Sequence, residues 1–217
     1  MVPVTTENTP EDAGVQLLVP LKPLALAKSR LLAGRGSAGH FELVTAMALD
    51  TVAAARRARG VASVLVVSSD PELTEAFAQL GVEVLPDDPA DGLNAALRHG
   101  DEVLRSRGVT RVGALQADLP ALRSGELGWA LRSAGTDRSF CPDLRGDGTT
   151  LLLAEPHRPL EPRFGPGSAL AHSESGAKTL LGPWESVRRD VDTEQDLNAA
   201  KAAGLGPLTA ARLNPGE

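Results

Sequence analysis

The chain has 217 residues, 42% of them hydrophobic and 3% aromatic, with 28 acidic against 22 basic side chains and a single cysteine. That length supports a core able to fold without a covalent staple, and one thiol excludes an intrachain disulfide framework and any four-thiolate metal site. No apolar run could span a bilayer, the opening MVPVTTENTPEDAG lacks the basic and apolar regions of a signal peptide, and so few aromatics, with no tyrosine, disfavour a base-stacking surface; a cytoplasmic protein with no membrane or nucleic-acid partner is expected.

Residues 1–14 are polar and aperiodic and read as a disordered tail, leaving 15–213 as a single domain. Val15–Pro20 is apolar and strand-length. From His40 to Arg59 an apolar stripe at Phe41, Val44, Ala48 and Val52 has helical spacing. Ala62–Val67 predicts a second strand, Pro71–Leu80 a helix capped by Asp70, and Val82–Leu85 a third strand. Asp91-Gly92-Leu93-Asn94 opens a helix to about Arg107, followed by a strand over Val109–Ala117 and a helix over Gly125–Ala134. Ser139–Pro142 and Thr150–Ala154 read as strands, Gly167–Leu181 as a helix, Ser186–Val191 as a last strand, and Thr193–Ala203 as a closing helix with Thr193 as its cap. This alternation predicts an α/β fold with a largely parallel sheet covered on both faces, whose ligands sit at the carboxyl ends of the strands.

The charges are not evenly spread. From Val15 to Gly60 there are seven basic residues against two acidic, and from Val61 to Asp137 twelve acidic against six basic. Such a division suits a site where cations meet phosphates on one side and carboxylates hold a metal on the other; solvated helix faces account equally for most of the individual charges. The loop after the first strand places Lys22, Lys28 and Arg30 where a triphosphate could bind, or forms a basic surface, and it carries neither glycine-rich dinucleotide fingerprint nor P-loop. Asp118, directly after an apolar strand, reads as a Mg²⁺ ligand or as a helix cap. Asp190 and Asp192 alternate along a strand end and so share one face, while Thr193 and Asp196 follow the grammar of a helix start. Thr150 ends the small polar turn Arg145–Thr150 and Gly165 and Ser168 stand before a helix; Ser168 offers a hydroxyl and amides to an anion, and ordinary turn chemistry accounts for both segments equally. Asp91, Gly92 and Asn94 could face a purine base or ribose. Cys141 has no base nearby and reads as a buried strand residue; the histidines lack metal-ligand spacing.

Six motifs, in order, carry a resemblance: VPLKPLALAKSRL at Val19–Leu31, DGLN at Asp91–Asn94, ADLP at Ala117–Pro120, GDGTTLL at Gly146–Leu152, RFGPGS at Arg163–Ser168 and DVDTEQDL at Asp190–Leu197. Together they resemble the guanylyltransferases of deazaflavin coenzyme (coenzyme F-420) biosynthesis, which use 2-phospho-L-lactate or, in the actinobacterial form, phosphoenolpyruvate; the GC-rich composition favours the latter. The resemblance implies a Rossmann-like, GT-A-like nucleotidyltransferase fold and transfer of GMP from GTP to phosphoenolpyruvate, giving enolpyruvoyl-2-diphospho-5′-guanosine and pyrophosphate. It implies Mg²⁺ held by Asp118 and Asp190, with Asp192 as the alternative second ligand, Lys22, Lys28 and Arg30 on the triphosphate, Asp91, Gly92 and Asn94 near the guanosine, and Thr150, Gly165 and Ser168 on phosphoenolpyruvate. Asp118, Lys22 and Lys28 would then be catalytic, and a downstream transferase would receive the labile product. A non-catalytic nucleotide-binding protein on the same fold is the alternative of another class.

Overall fold

The computed structural model describes residues 14–21, 37–87 and 91–213. The expected tail, apart from Gly14, and the triphosphate candidates Lys22, Lys28 and Arg30 lie outside the described residues.

The central strand, β1 (Val15–Pro20), shows why the fold has three layers. Its side chains divide by parity: Val15, Leu17 and Val19 enter one apolar core, whereas Leu18 enters another on the opposite face. On the first face lie α1 (Ser37–Arg56) and α2 (Pro71–Gln79), with α4 (Ser124–Ala134); on the second lies α3 (Leu93–Ser106). A strand buried on both sides must be apolar at nearly every position, as β1 and β2 (Val61–Val67) are at their carboxyl halves. The remaining strands are β3 (Glu83–Leu85), β4 (Val112–Leu115), β5 (Ser139–Pro142), β6 (Thr149–Leu153) and β7 (Lys178–Thr179). Their order is β3-β2-β1-β4-β6-β5-β7. All neighbours run parallel except β6, which is antiparallel to both β4 and β5.

This order creates the crevice. The chain winds outward from β1 to β3, then returns through α3 on the other face to place β4 on the far side of β1. The carboxyl ends of β1 and β4 therefore meet at a topological switch point, where the connecting chains part. No described helix is long and apolar enough to cross a membrane.

Local chemistry follows the expected grammar in several places. Asp70 caps α2 by accepting from the Glu72 and Leu73 amides at 3.0 and 3.3 Å, with Pro71 in the first turn. Thr193 caps α7 (Glu194–Ala203) in a reciprocal box with Asp196. Two elements differ from the sequence reading. Instead of a strand over Ser186–Val191 there is a helical turn, α6 (Glu185–Arg188), and then extended chain outside the sheet. The buried residues there, Val187 and Val191, are four apart, which fits a turn of helix, and the Ser186 amide donates to Glu126 Oε2 at 2.8 Å rather than to a strand. The helix over Gly167–Leu181 is only α5 (Ser168–Glu174): Gly176 takes a φ of +87°, and the chain turns into β7. A last helix, α8 (Pro207–Leu213), is not foreshadowed by periodicity; buried Asp50 of α1 accepts from its Leu208 and Thr209 amides at 3.2 and 2.7 Å.

At the centre of the sheet a Cβ on Gly113 would lie 2.8 Å from Leu153 Cδ2, 2.9 Å from Leu17 Cδ2 and 3.1 Å from the Leu152 carbonyl oxygen. Gly113→Ala should lower the unfolding free energy in urea by about 1–3 kcal/mol. Gly125→Ala in α4, where a Cβ meets nothing within 4 Å, should leave it unchanged or raise it by up to about 1 kcal/mol.

Candidate active site

The end of β4 is where chemistry concentrates. Gln116 still pairs with β6, its amide donating to the Thr150 carbonyl at 2.9 Å, and the chain then leaves the sheet at Asp118. The next amide, Leu119, donates to Thr51 Oγ1 of α1 at 3.1 Å, and Thr51 donates in turn to the Met47 carbonyl at 2.8 Å. Leu119 is fully buried, so the loop is anchored just beyond the carboxylate. The Asp118 carbonyl accepts from the Val191 amide at 3.0 Å. Val191 is itself fully buried, and its flanking residues, Asp190 and Asp192, are half-buried beside Asp118. Carboxylate oxygens of Asp118, Asp190 and Asp192 all lie within 4.8 Å of one another, the one such group among the described residues. The alternation read from the sequence survives although the strand does not.

The second carboxylate segment is braced from below. Asp196 Oδ2 accepts from the Asp192 amide at 3.3 Å, the Thr193 amide at 2.9 Å and the Thr193 hydroxyl at 2.8 Å. Arg145 Nη2 reaches both Asp196 oxygens, at 2.8 and 2.9 Å. Burial pushes the Asp196 carboxyl up, but the Thr193 hydroxyl and Arg145 together hold it below the usual range. Arg145 is exposed, and its guanidinium also feels Asp190 and Asp192. Arg188 ties the same segment to the 143–148 turn: its Nε and Nη2 donate to the Pro142 and Asp143 carbonyls at 2.9 and 2.8 Å, and its carbonyl accepts from the Leu144 amide at 2.9 Å.

That turn is built around the buried Asp143 carboxylate, which accepts from the amides of Gly146, Asp147 and Gly148 at 2.6, 3.0 and 3.0 Å. Gly148 is required there, because a Cβ would sit 2.6 Å from Asp143 Oδ2. The turn is joined to α5 by the Ala169 amide, which donates to the Asp147 carbonyl at 2.9 Å. The loop before α5 is held in turn by Asn94 at the start of α3: its Nδ2 donates to the Phe164 carbonyl at 2.9 Å and its Oδ1 accepts from the Phe164 amide at 2.8 Å.

Three hard oxygen donors, with no nitrogen or sulfur among them, form an acidic group suited to a divalent cation such as Mg²⁺ or Ca²⁺. A family model described as guanylyl transferase CofC like matches residues 15–206. The chain belongs to this guanylyl transferase family. A relative from Salinispora arenicola (strain CNS-205), named phosphoenolpyruvate guanylyltransferase, is 49% identical over 197 residues, covering 89% of this chain and 91% of its own. Among solved structures, a protein from Desulfovibrio desulfuricans G20, provisionally described as a nucleotide-diphospho-sugar transferase, aligns with a TM-score of 0.67 at 19% identity over 93% of this chain and 95% of that one. A nucleotidyl transferase from Methanothermobacter aligns with a TM-score of 0.58 at 20% identity over 88% and 97%. These structural likenesses show the nucleotidyltransferase type of fold.

Within this guanylyl transferase the residues singled out from the sequence fall into three groups. Asp118, Asp190 and Asp192 converge. Gly165 and Ser168 are neighbours, the Ser168 amide donating to the Gly165 carbonyl at 3.1 Å, but the hydroxyl that Ser168 meets, at 3.2 Å, belongs to Thr149 and not to Thr150. Thr150 and Ser168 are buried, with the Thr150 hydroxyl on the Cys141 carbonyl at 3.4 Å, whereas Gly165 is exposed with a φ of +139°. Asp91 and Gly92 are exposed at the start of α3, and Asn94 clamps Phe164. Cys141 is inert as expected: burial, stronger than the opposing influence of Arg188 and Trp184, pushes its thiol up to about 12. Of the bracing residues, Asp196 is legible in the sequence as a helix-start partner of Thr193, whereas Thr51, Asp143 and Arg188 carry no role in the sequence reading; of these only Asp143, three and five residues before glycines, has a readable turn signal.

Mg²⁺ at a hundredfold excess over its Kd should stabilise the fold by about 2.7 kcal/mol, or about 5–10 °C in Tm. Differential scanning fluorimetry with and without Mg²⁺ checks this, and Asp118→Asn should show little of the shift. His172 supplies a pH test. Burial, reinforced by the charges of Arg138 and Arg163, lowers its imidazole from 6.5 to about 4. Between these values the unfolded chain binds the proton and the folded chain does not, so this contribution to stability is full above 6.5 and lost as pH falls toward 4. Urea titrations across that range should lose up to about 3 kcal/mol from this ring, a component absent in His172→Gln.

Proposed function

We propose that this chain is a cytoplasmic guanylyltransferase that joins GMP from GTP to phosphoenolpyruvate, releasing pyrophosphate. The observation that carries the reading is the convergence of Asp118, Asp190 and Asp192 at the carboxyl end of β4, in a chain of the guanylyl transferase family. A phosphate oxygen of phosphoenolpyruvate attacks the α-phosphorus of GTP in line. The bond from that phosphorus to the β-phosphate's bridging oxygen breaks, and pyrophosphate departs with the electron pair. No proton need move, so the protein's work is positioning and charge neutralisation.

Asp118, Asp190 and Asp192 are the residues that would hold Mg²⁺, their oxygens matching its preference. When bound, Mg²⁺ supplies charge neutralisation on phosphate oxygens. Lys22, Lys28 and Arg30 bind the triphosphate in this reading; Asp91 and Gly92 lie toward the nucleoside, with Asn94 shaping that wall through Phe164. Thr150, Gly165 and Ser168 form the acceptor wall. The product is a reactive mixed diphosphate, and a downstream transferase that takes it directly would limit its hydrolysis. 2-Phospho-L-lactate differs from phosphoenolpyruvate by two hydrogens at one centre, a difference a pocket discriminates by about 1–3 kcal/mol.

The test is pyrophosphate release from GTP and Mg²⁺ with phosphoenolpyruvate, with 2-phospho-L-lactate, or with neither, in the presence of the downstream transferase. Release with phosphoenolpyruvate alone is expected. Preference for 2-phospho-L-lactate would change the acceptor, and GTP binding without release would leave a nucleotide-binding protein. Asp118→Asn should lower kcat by about 10²–10³-fold or more with an unchanged circular dichroism spectrum; near-wild-type turnover would remove Asp118 from the mechanism.

A further inference from the structure

His172 is a fully buried histidine in α5 that the proposed reaction does not itself use. Its ring is fixed by two aromatic neighbours, Phe140 at 5.7 Å and Phe164 edge-on at 5.1 Å between centroids. Both nitrogens are engaged. The Arg163 amide points at Nε2 from 2.9 Å, and an amide nitrogen can only donate, so Nε2 is the lone-pair nitrogen. In a neutral ring the proton therefore sits on Nδ1, which lies 2.9 Å from Thr149 Oγ1.

This tautomer sets the direction of everything beyond it. Thr149 Oγ1 accepts a hydrogen bond from Nδ1–H and keeps its own proton to donate. Ser168 Oγ, 3.2 Å from Thr149 Oγ1, donates to it in this structure. Because Thr149 retains a proton, the pair can reverse, with Thr149 donating to Ser168 and Ser168 turning its proton toward an anion. With the opposite tautomer Thr149 would have to donate to His172, leaving no proton for Ser168, and the Arg163 amide would face an N–H. The same ring thus joins the 149–150 strand start to the 163–168 loop, whose next residue, Phe164, is clamped by Asn94.

We propose that His172 is the positioning residue of the acceptor wall: its neutral imidazole, protonated at Nδ1, pins the loop at Arg163 and orients the Thr149–Ser168 hydroxyl pair for an anionic acceptor. This rests on the reading of Thr150, Gly165 and Ser168 as the acceptor wall. The hydrogen bonds of His172 lead to Thr149 and the 163–168 loop and not to the carboxylate cluster, so its loss should act on the acceptor wall and leave the cluster in place.

The experiment compares wild type with His172→Phe, His172→Gln, His172→Asn and Thr149→Val. Gln can place an amide oxygen near the position of Nε2, and Asn can place an amide N–H near that of Nδ1, so each restores one half of the arrangement. For His172→Phe the KM for phosphoenolpyruvate should rise about tenfold or more while the KM for GTP stays within about twofold, with partial recovery in His172→Gln and His172→Asn. Thr149→Val, which leaves His172 intact, should repeat the acceptor-specific loss. Nitrogen-15 NMR of the imidazoles, with His172→Asn to assign the signal, should show His172 neutral and protonated at Nδ1; this readout needs no turnover. Protonation at Nε2 instead, or an unchanged KM for phosphoenolpyruvate in both His172→Phe and Thr149→Val, would overturn the positioning role. Equal rises in both KM values that track a loss of Tm would also overturn it, reducing His172 to a packing residue. A wild-type protein silent with either acceptor would overturn the proposed function itself, an outcome distinct from active wild type with unaffected variants.

Discussion

Three carboxylates cannot be gathered within 4.8 Å without something to hold them there. Their mutual repulsion favours opening, and in this fold the opposing constraint is largely main-chain: the Val191 amide on the Asp118 carbonyl, at 3.0 Å, joins the end of β4 to a segment that belongs to no strand. Burial of Leu119 and Val191 then fixes the two loops on their inner sides. The acidic side chains are thus positioned by their apolar neighbours, and the cluster is a by-product of where the chain can bury its leucine and valine.

Around that junction the braces are polar and buried or half-buried. Thr51, Asn94 and Asp196 each bind main-chain groups of an adjoining loop, Asp143 binds the amides of its own turn, and Arg188 binds the Pro142 and Asp143 carbonyls at that turn's start. Buried polar groups of this kind contribute modestly when satisfied and cost much more when one partner is removed. A loop held by satisfied donors and acceptors has little freedom to drift, which is what positioning a phosphate to fractions of an ångström demands. The conformational cost is met during folding rather than at each binding event.

How much of this can be read from the sequence depends on how local the signal is. Strands β1 and β2 declare themselves because burial on both faces forces unbroken apolar runs, and the Asp70 and Thr193 caps because helix starts are short-range chemistry. Asp118, Asp190 and Asp192 are legible through position: one carboxylate at a strand end, two flanking a valine. The segment at Ser186–Val191 misleads because a four-residue spacing of valines fits one helical turn as well as a strand edge. The bracing of the site is largely invisible, since Thr51 to Leu119 and Asn94 to Phe164 are contacts between residues distant in sequence. No periodicity encodes which amide a buried threonine will meet.

The order of these residues along the chain has a consequence for biosynthesis. All seven described strands precede Asp190, and the segment that completes the carboxylate cluster comes after β7. The linker into α8, which follows still later, is fastened to the loop after Asp118 by the Gly206 amide on the Pro120 carbonyl at 2.7 Å. A nascent chain emerging from the ribosome therefore presents every described strand, and Asp118, before it presents Asp190 and Asp192. The carboxylate cluster is thus completed last: a chain that ended before Asp190 would carry one of its three carboxylates and would lack Val191, Leu197 and Ala200 of the first core.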